Sequence, residues 1–338
     1  MENIVSTKEL ITGYYNNGKF NAIPQYKINI AAKEGELIAL IGSNGNGKTT
    51  LLKTLAGLQK YKSGEINICG NSPKTANKLD FAKVLSIATT ELLKIAYTSV
   101  YEFVMLGRYP YSNFFGKIKN DDIEIVNMAL NETGIIHKKD ELLNRLSDGE
   151  RQRAVIARTL SQNTNVILLD EPTAFLDIKN KFEIFNLLKT LTLKFNKTII
   201  FSSHDINTAI HIADKIWLLK TNCIINKIPE QIIFDDDLAN EFNSDYLQID
   251  KNSGNLNFIN KSSAFIGLEG NSKIQTLTKN ALNRIGFEIS SNKNITLNVI
   301  IEEKGNSFIW KLNAQNEIFI FNQLEELLLH LKFYKLKN

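Results

Sequence analysis

The segment Gly42-Ser43-Asn44-Gly45-Asn46-Gly47-Lys48-Thr49 limits what this chain can fold into more than any other. It fits G-x-x-x-x-G-K-[ST] in full. It follows the apolar run Glu36-Leu37-Ile38-Ala39-Leu40-Ile41 and opens a helical pattern over Thr50–Leu58 with a stop at Gly57. Strand, glycine-rich loop and helix in that order make a phosphate-binding P-loop. Its glycines let backbone N–H groups turn inward around phosphate oxygens, and the helix N-terminus adds a favourable dipole. Lys48 supplies a mobile point charge for β- and γ-phosphates, and Thr49 offers a hydroxyl to Mg²⁺.

A second motif lies far downstream. Val166-Ile167-Leu168-Leu169 reads as a buried strand, and Asp170-Glu171 follow at its carboxyl end, where parallel α/β sheets bind ligands. Asp170 suits Mg²⁺, directly or through water, and Glu171 suits a residue that orients or deprotonates an attacking water. Shortly before this strand, Leu146-Ser147-Asp148-Gly149-Glu150 opens a helical pattern over Asp148–Leu160. Alone, Ser-Asp-Gly-Glu marks a helix start; near Asp170 it also reads as a second anion site built from a hydroxyl and a helix N-terminus. Tyr26–Ala31 alternates like a strand, Asp121–Glu132 is helical in period, and Asn165–Leu169 and Lys197–Phe201 are short strand-like runs. Strands alternating with helices predict an α/β fold with a mostly parallel sheet.

The chain has 338 residues, 43% apolar and 22% charged, which suits two packed domains. A net charge of +4 is too weak to argue for a nucleic-acid partner. Two cysteines, Cys69 and Cys223, make no disulfide framework. The start of the chain has no secretory pattern and no window is apolar enough to span a membrane, so a cytoplasmic chain is expected. All five prolines precede Gln231, and residues 250–255 read as a polar linker. Beyond it, strand patterns at Leu256–Ile259, Ile295–Ile301 and Ser307–Leu312 and helical patterns at Ser272–Ile285 and Gln323–Lys335 predict a small α+β domain.

Taken together, the motifs of residues 1–245 resemble the ATP-binding-cassette (ABC) ATPases. The resemblance implies a P-loop ATPase core over residues 1–250: a mostly parallel sheet with flanking helices, an antiparallel β element and a helical subdomain at about 92–160. Residues 256–338 lie outside it as a domain of unassigned role. It implies that Gly42, Ser43, Asn44, Gly45, Asn46, Gly47, Lys48, Thr49 and Thr50 bind ATP and that Thr49 and Asp170 hold Mg²⁺. Glu171 and His204 would be catalytic. Tyr14 would stack on adenine, with Tyr15 as the competing choice. Ser147, Asp148, Gly149 and Glu150 would form the signature that contacts the ATP of a second subunit, although Asp148 and Glu150 depart from the usual L-S-G-G-Q. Asp177 would be the D-loop aspartate. One P-loop and one signature imply a homodimer.

The stretch Thr98–Tyr111 is similar to the T-V-x-E-x-V-x-x-G-R-x-P pattern of importers for iron-siderophore, haem and cobalamin. This implies an ATPase subunit on the cytoplasmic face of the inner or plasma membrane. It would bind multi-span permease subunits and depend indirectly on a substrate-binding protein. Tyr101, Phe103, Tyr109 and Tyr111 are either the permease contact or core. The family's coupling Gln is absent: Thr90 stands at its position after the strand Val84–Ile87, and Glu91 beside it has the reach to replace it. The alternative reading is a soluble ABC ATPase that regulates or assembles a complex through its C-terminal domain.

Overall fold

The computed structural model describes residues 3–89, 97–112, 118–244, 247–250, 256–258, 264–270, 273–290, 295–305, 307–314 and 317–337. They fall into two compact units, one resting on residues up to 242 and the other on residues from 256.

The first unit is organised by a six-stranded sheet. Its strands are β1 (Leu37–Gly42), β2 (Leu85–Ala88), β3 (Val166–Leu169), β4 (Thr198–Ser202), β5 (Lys215–Leu219) and β6 (Ile224–Lys227), in the spatial order β6-β5-β1-β4-β3-β2. All neighbours run parallel except the β5–β6 edge pair. β1, β3 and β4 are buried at every position, which is why they read as continuous apolar runs. Parallel strands bring their carboxyl ends to one edge. Gly42, Leu169 and Ser202 therefore end side by side, and the polar residues after them converge.

Helix α1 (Lys48–Leu55) leaves this edge directly after the P-loop. Helix α2 (Asp148–Ser161) carries the signature residues at its start, and α3 (Ile178–Phe195) follows β3. The helices Val100–Met105 and Asn120–Glu132 pack on α2. This helical region is clamped by Arg108. Its Nε lies 2.8 Å from Asp122 Oδ1, its Nη1 donates to Ser161 O at 2.9 Å, and its guanidinium stacks 3.9 Å from the Tyr111 ring centroid. Arg108 is 8% exposed and Asp122 5%. Burial opposes the Asp122 charge, yet hydrogen bonds from Arg108 and the Lys119 backbone hold its carboxyl below the usual range.

A three-stranded antiparallel sheet, Ala31–Lys33, Asn3–Ile11 and Ser63–Ile68 in spatial order, covers the core on one side. The alternation over Tyr26–Ala31 is not a strand. Only Ile28 bridges, to Leu10, and the paired strand begins at Ala31. The reason is local: the Ile30 N–H donates to Thr7 Oγ1 at 3.2 Å and Glu9 takes φ 51, which interrupts the ladder. The alternation instead records that Ile28 and Ile30 point into the core. A β-hairpin, Gly13–Asn16 with Lys19–Ala22, precedes it.

In the second unit five strands lie in the order Phe287–Ile289, Ala264–Glu269, Leu297–Lys304, Ser307–Ala314, Glu317–Phe321. The first three are parallel and the rest antiparallel. Helices Lys273–Arg284 and Leu324–Lys337 accompany them, around a core of Ile266, Leu282, Phe287, Val299, Trp310, Leu312, Leu327 and Leu331. Trp310 Nε1 donates to the buried Thr278 Oγ1 at 3.0 Å. Strands Ala264–Glu269, Phe287–Ile289 and Glu317–Phe321 were not among those expected. Among the described residues no helix is long and apolar enough to cross a membrane.

Candidate functional site

The P-loop is shaped by what surrounds it. Gly47, just before α1, adopts φ 95, and a Cβ there would stand 2.7 Å from Ile23 Cγ2, so no other residue fits. This contact seats the end of the Gly13–Ala22 hairpin beside the loop. Asn46 Nδ2 donates to Leu219 O at 3.1 Å, tying the loop to the end of β5. Lys48 folds back over the loop and donates to Gly42 O at 2.7 Å and Ser43 O at 3.3 Å. It is 6% exposed. Burial pulls its pKa down, and the nearby Glu171 and Asp170 charges oppose that. Helix α1 has no side-chain cap, so its first N–H groups remain available to an anion. Asn44 and Gly45 are exposed, and Thr50 lies within α1.

From β3, Asp170 faces this loop. Its Oδ2 accepts from Thr49 Oγ1 at 2.9 Å, and its Oδ1 accepts from Ser202 Oγ at 2.7 Å. Ser202 Oγ in turn accepts from the Glu171 N–H at 2.8 Å. Glu171 sits at φ 49, a left-handed conformation a side chain adopts only where its surroundings enforce it. Its Oε1 lies 2.5 Å from His204 Nε2. Thr49, Asp170, Glu171, Ser202 and His204 thus form one connected set.

Ser202 is the member that sequence reasoning missed. The signal was its place as the first polar residue after the apolar run of β4. Glu241, on the short helix Asp237–Phe242, was also missed: its Oε1 accepts from Ser43 Oγ at 3.3 Å. Nothing in the local pattern around residue 241 announces it.

The signature residues lie elsewhere and satisfy one another. Ser147 caps α2: the Glu150 N–H donates to Ser147 Oγ at 3.3 Å, and Glu150 Oε2 accepts from Ser147 N and Oγ, each at 2.9 Å. Those bonds hold the Glu150 carboxyl below its ordinary range. Asp148 pairs with Arg151 at 3.1 Å. A Cβ at Gly149 would meet Asn180 Oδ1 at 2.9 Å, so a side chain there would push the Asn180 amide aside. Asp177 caps α3 by accepting from the Asn180 N–H at 2.8 Å.

Tyr14 and Tyr15 are both exposed on the hairpin, but the Tyr15 ring packs edge-on against Phe20 at 5.0 Å. Of the four aromatics near Pro110, Phe103 is buried, Tyr111 bonds Gln162 O, Tyr101 is half-buried and Tyr109 is 70% exposed. Thr90 and Glu91 lie outside the described residues. Among the described residues no cluster of three or more His, Cys, Asp or Glu could hold a metal. A cation at Thr49 and Asp170 would therefore take two protein oxygens and complete its shell with phosphate and water, a donor set that fits Mg²⁺.

The ABC transporter family profile matches residues 26–174, and the iron ABC transporter C-terminal domain profile matches residues 262–332. The petrobactin import ATP-binding protein FpuC of Bacillus anthracis is 41% identical over 61% of this chain and 76% of its own length. The probable siderophore transport system ATP-binding protein YusV of Bacillus subtilis (strain 168) is 36% identical over 70% of this chain and 85% of its own. Among solved structures, the dimeric bacterial ABC transporter cassette MJ0796 is 26% identical, with TM-score 0.58, over 67% of this chain and 98% of that one. These matches show the family: the chain belongs to the ATP-hydrolysing subunits of ABC transporters.

Proposed function

We propose that this chain is the ATPase of an importer for an iron chelate, a siderophore complex above all. It works as a homodimer peripherally bound to permease subunits at the cytoplasmic membrane face, which receive cargo from a substrate-binding protein. The carrying observation is the connected set from Thr49 through Asp170 and Ser202 to Glu171 and His204. The iron-type C-terminal match and the names of the relatives support the cargo class.

The residues divide the labour. Backbone N–H groups of the P-loop and α1 receive the phosphates, and Lys48 turns from its own carbonyls toward them. Tyr14 stacks on adenine, since the Tyr15 ring is already packed on Phe20. Thr49 and Asp170 hold Mg²⁺, which when bound offsets phosphate charge. Ser202 fixes both Asp170 and the Glu171 backbone. Glu171 accepts a proton from the attacking water, and the His204 tautomer protonated at Nε2 orients its carboxylate. Ser147, Asp148, Gly149 and Glu150 meet the ATP of the second copy, with Asp177 at the junction. Tyr109 faces the permease, Thr90 and Glu91 relay nucleotide state to it, and residues 256–338 form a separate accessory module.

The test is uptake of radiolabelled ferric siderophores in cells lacking the gene. Uptake restored by the intact chain but not by Lys48→Ala supports the reading; uptake indifferent to the deletion across siderophore classes, haem and cobalamin rejects it.

A further inference from the structure

Helix α1 meets the Gly13–Ala22 hairpin at both of its ends, not only at the P-loop. At its N-terminal end Gly47 lies against Ile23, just after the hairpin. Beyond its C-terminal end the chain turns at Gly57, which takes φ 71 and donates its N–H to Thr54 O at 3.0 Å. The Leu58 and Gln59 N–H groups then both donate to Lys53 O, at 2.9 and 3.1 Å. These bonds fix the Gln59 backbone to the end of the helix. From there its half-buried side chain reaches the hairpin, and Nε2 donates to Gly13 O at 3.0 Å.

Gly13 is the one buried position of the first hairpin strand; Tyr14, Tyr15 and Asn16 are exposed. It is also pressed against the second strand, since a Cβ there would stand 2.0 Å from Asn21 O. Next to it the Ile23 N–H donates to Thr12 O at 2.9 Å. The hairpin is therefore held at its base, and Tyr14 is the first residue out from the held point. A ring that recognises a base works only where its neighbours fix its place to a fraction of an ångström. We propose that Gln59 is a positioning residue for adenine recognition. It ties the Tyr14 end of the hairpin to the helix whose N-terminus receives the phosphates, so one rigid element sets both ends of the nucleotide. This rests on the reading that Tyr14 stacks on adenine.

The experiment titrates the full chain with Mg-ADP and, separately, with magnesium pyrophosphate, which offers the phosphates without a base. Gln59→Met keeps the length of the side chain and removes its donor. ADP affinity should fall about three- to tenfold, the scale of one lost hydrogen bond. Pyrophosphate affinity should stay at the parent's, which also shows that the P-loop is folded. Gln59→Lys, which returns an N–H donor, should recover part of the loss. Added to Tyr14→Ala, Gln59→Met should cost little further, because changes that act through one contact are not additive. A purely structural role would weaken both ligands alike, and that result would overturn the inference. So would full additivity with Tyr14→Ala. If Tyr14→Ala loses ADP affinity and Gln59→Met does not, the inference falls and the stacking reading stands. If Tyr14→Ala binds ADP like the parent, both fall.

Discussion

Two helix N-termini in the first unit differ in one respect that bears on the reaction. Helix α1, after the P-loop, has no side-chain cap, and Lys48 beside it is buried with only backbone carbonyls as hydrogen-bond partners. Helix α2, at the signature, has its cap filled by Glu150, whose carboxylate takes both the Ser147 N–H and hydroxyl. The first terminus is open to an anion; the second already holds one from its own chain. The P-loop side of the site is assembled within the subunit, whereas the signature helix start is satisfied by a carboxylate of its own chain.

The largest expected effect breaks the assembled half. Glu171→Gln removes the proton acceptor while keeping shape, so turnover should fall by about 10²–10⁴-fold with ATP binding retained. A phosphate-release assay beside nucleotide titration measures both; turnover near the parent's would remove Glu171 from the role. Next comes the frame of the signature half. Asp122→Ala leaves Arg108 buried without its partner, which should cost about 3–5 kcal/mol. Denaturant unfolding should show this loss, whereas Arg108→Met combined with Asp122→Leu should recover much of it. If Asp122→Ala unfolds like the parent, the clamp does not hold the end of α2. Ser147→Ala should cost only about 1 kcal/mol as a lost cap. Mixed with Lys48→Ala chains, it should regain activity, because one site of each mixed dimer is intact. Mixed dimers shown to form yet inactive would place the signature outside the partner's site.

The assembled half was also the legible half. Gly42–Thr49 and Val166–Glu171 are contiguous, and a buried parallel strand that ends in charged residues delivers them to the ligand-binding edge of its sheet. Ser202 and Glu241 were harder, because their roles depend on which strand ends and helices the fold brings to one edge. In the second unit, the strand Glu317–Phe321 is exposed at Glu317, Ile318 and Ile320 and only half-buried at Phe319 and Phe321, so no buried run marks it. The Gly-Arg-x-Pro stretch carried a family resemblance but not its physical meaning, which is the Arg108 clamp. Tyr26–Ala31 misled because alternation records inward-facing side chains, not a hydrogen-bonded ladder.

The smallest effect tests the contrast itself. Glu150→Gln keeps the capping box, since Gln fills the same position, but removes its charge. If the carboxylate competes with an incoming phosphate, ATP-driven dimerisation should tighten by about two- to fivefold, the scale of one charge at a helix N-terminus. The gain should shrink at high salt, which screens exposed charges. The pH dependence has a definite sign. The folded Glu150 carboxyl titrates below its ordinary value, so its capping contribution is complete above the unfolded value and is lost as pH falls through the folded one. The parent's thermal stability should therefore drop more steeply on acidification below the ordinary carboxylate range than that of Glu150→Gln. Dimerisation that weakens in Glu150→Gln at neutral pH would reverse the reading: the carboxylate would then be part of the contact with the second copy, and the departure from Gln at this position would be a gain rather than a guard.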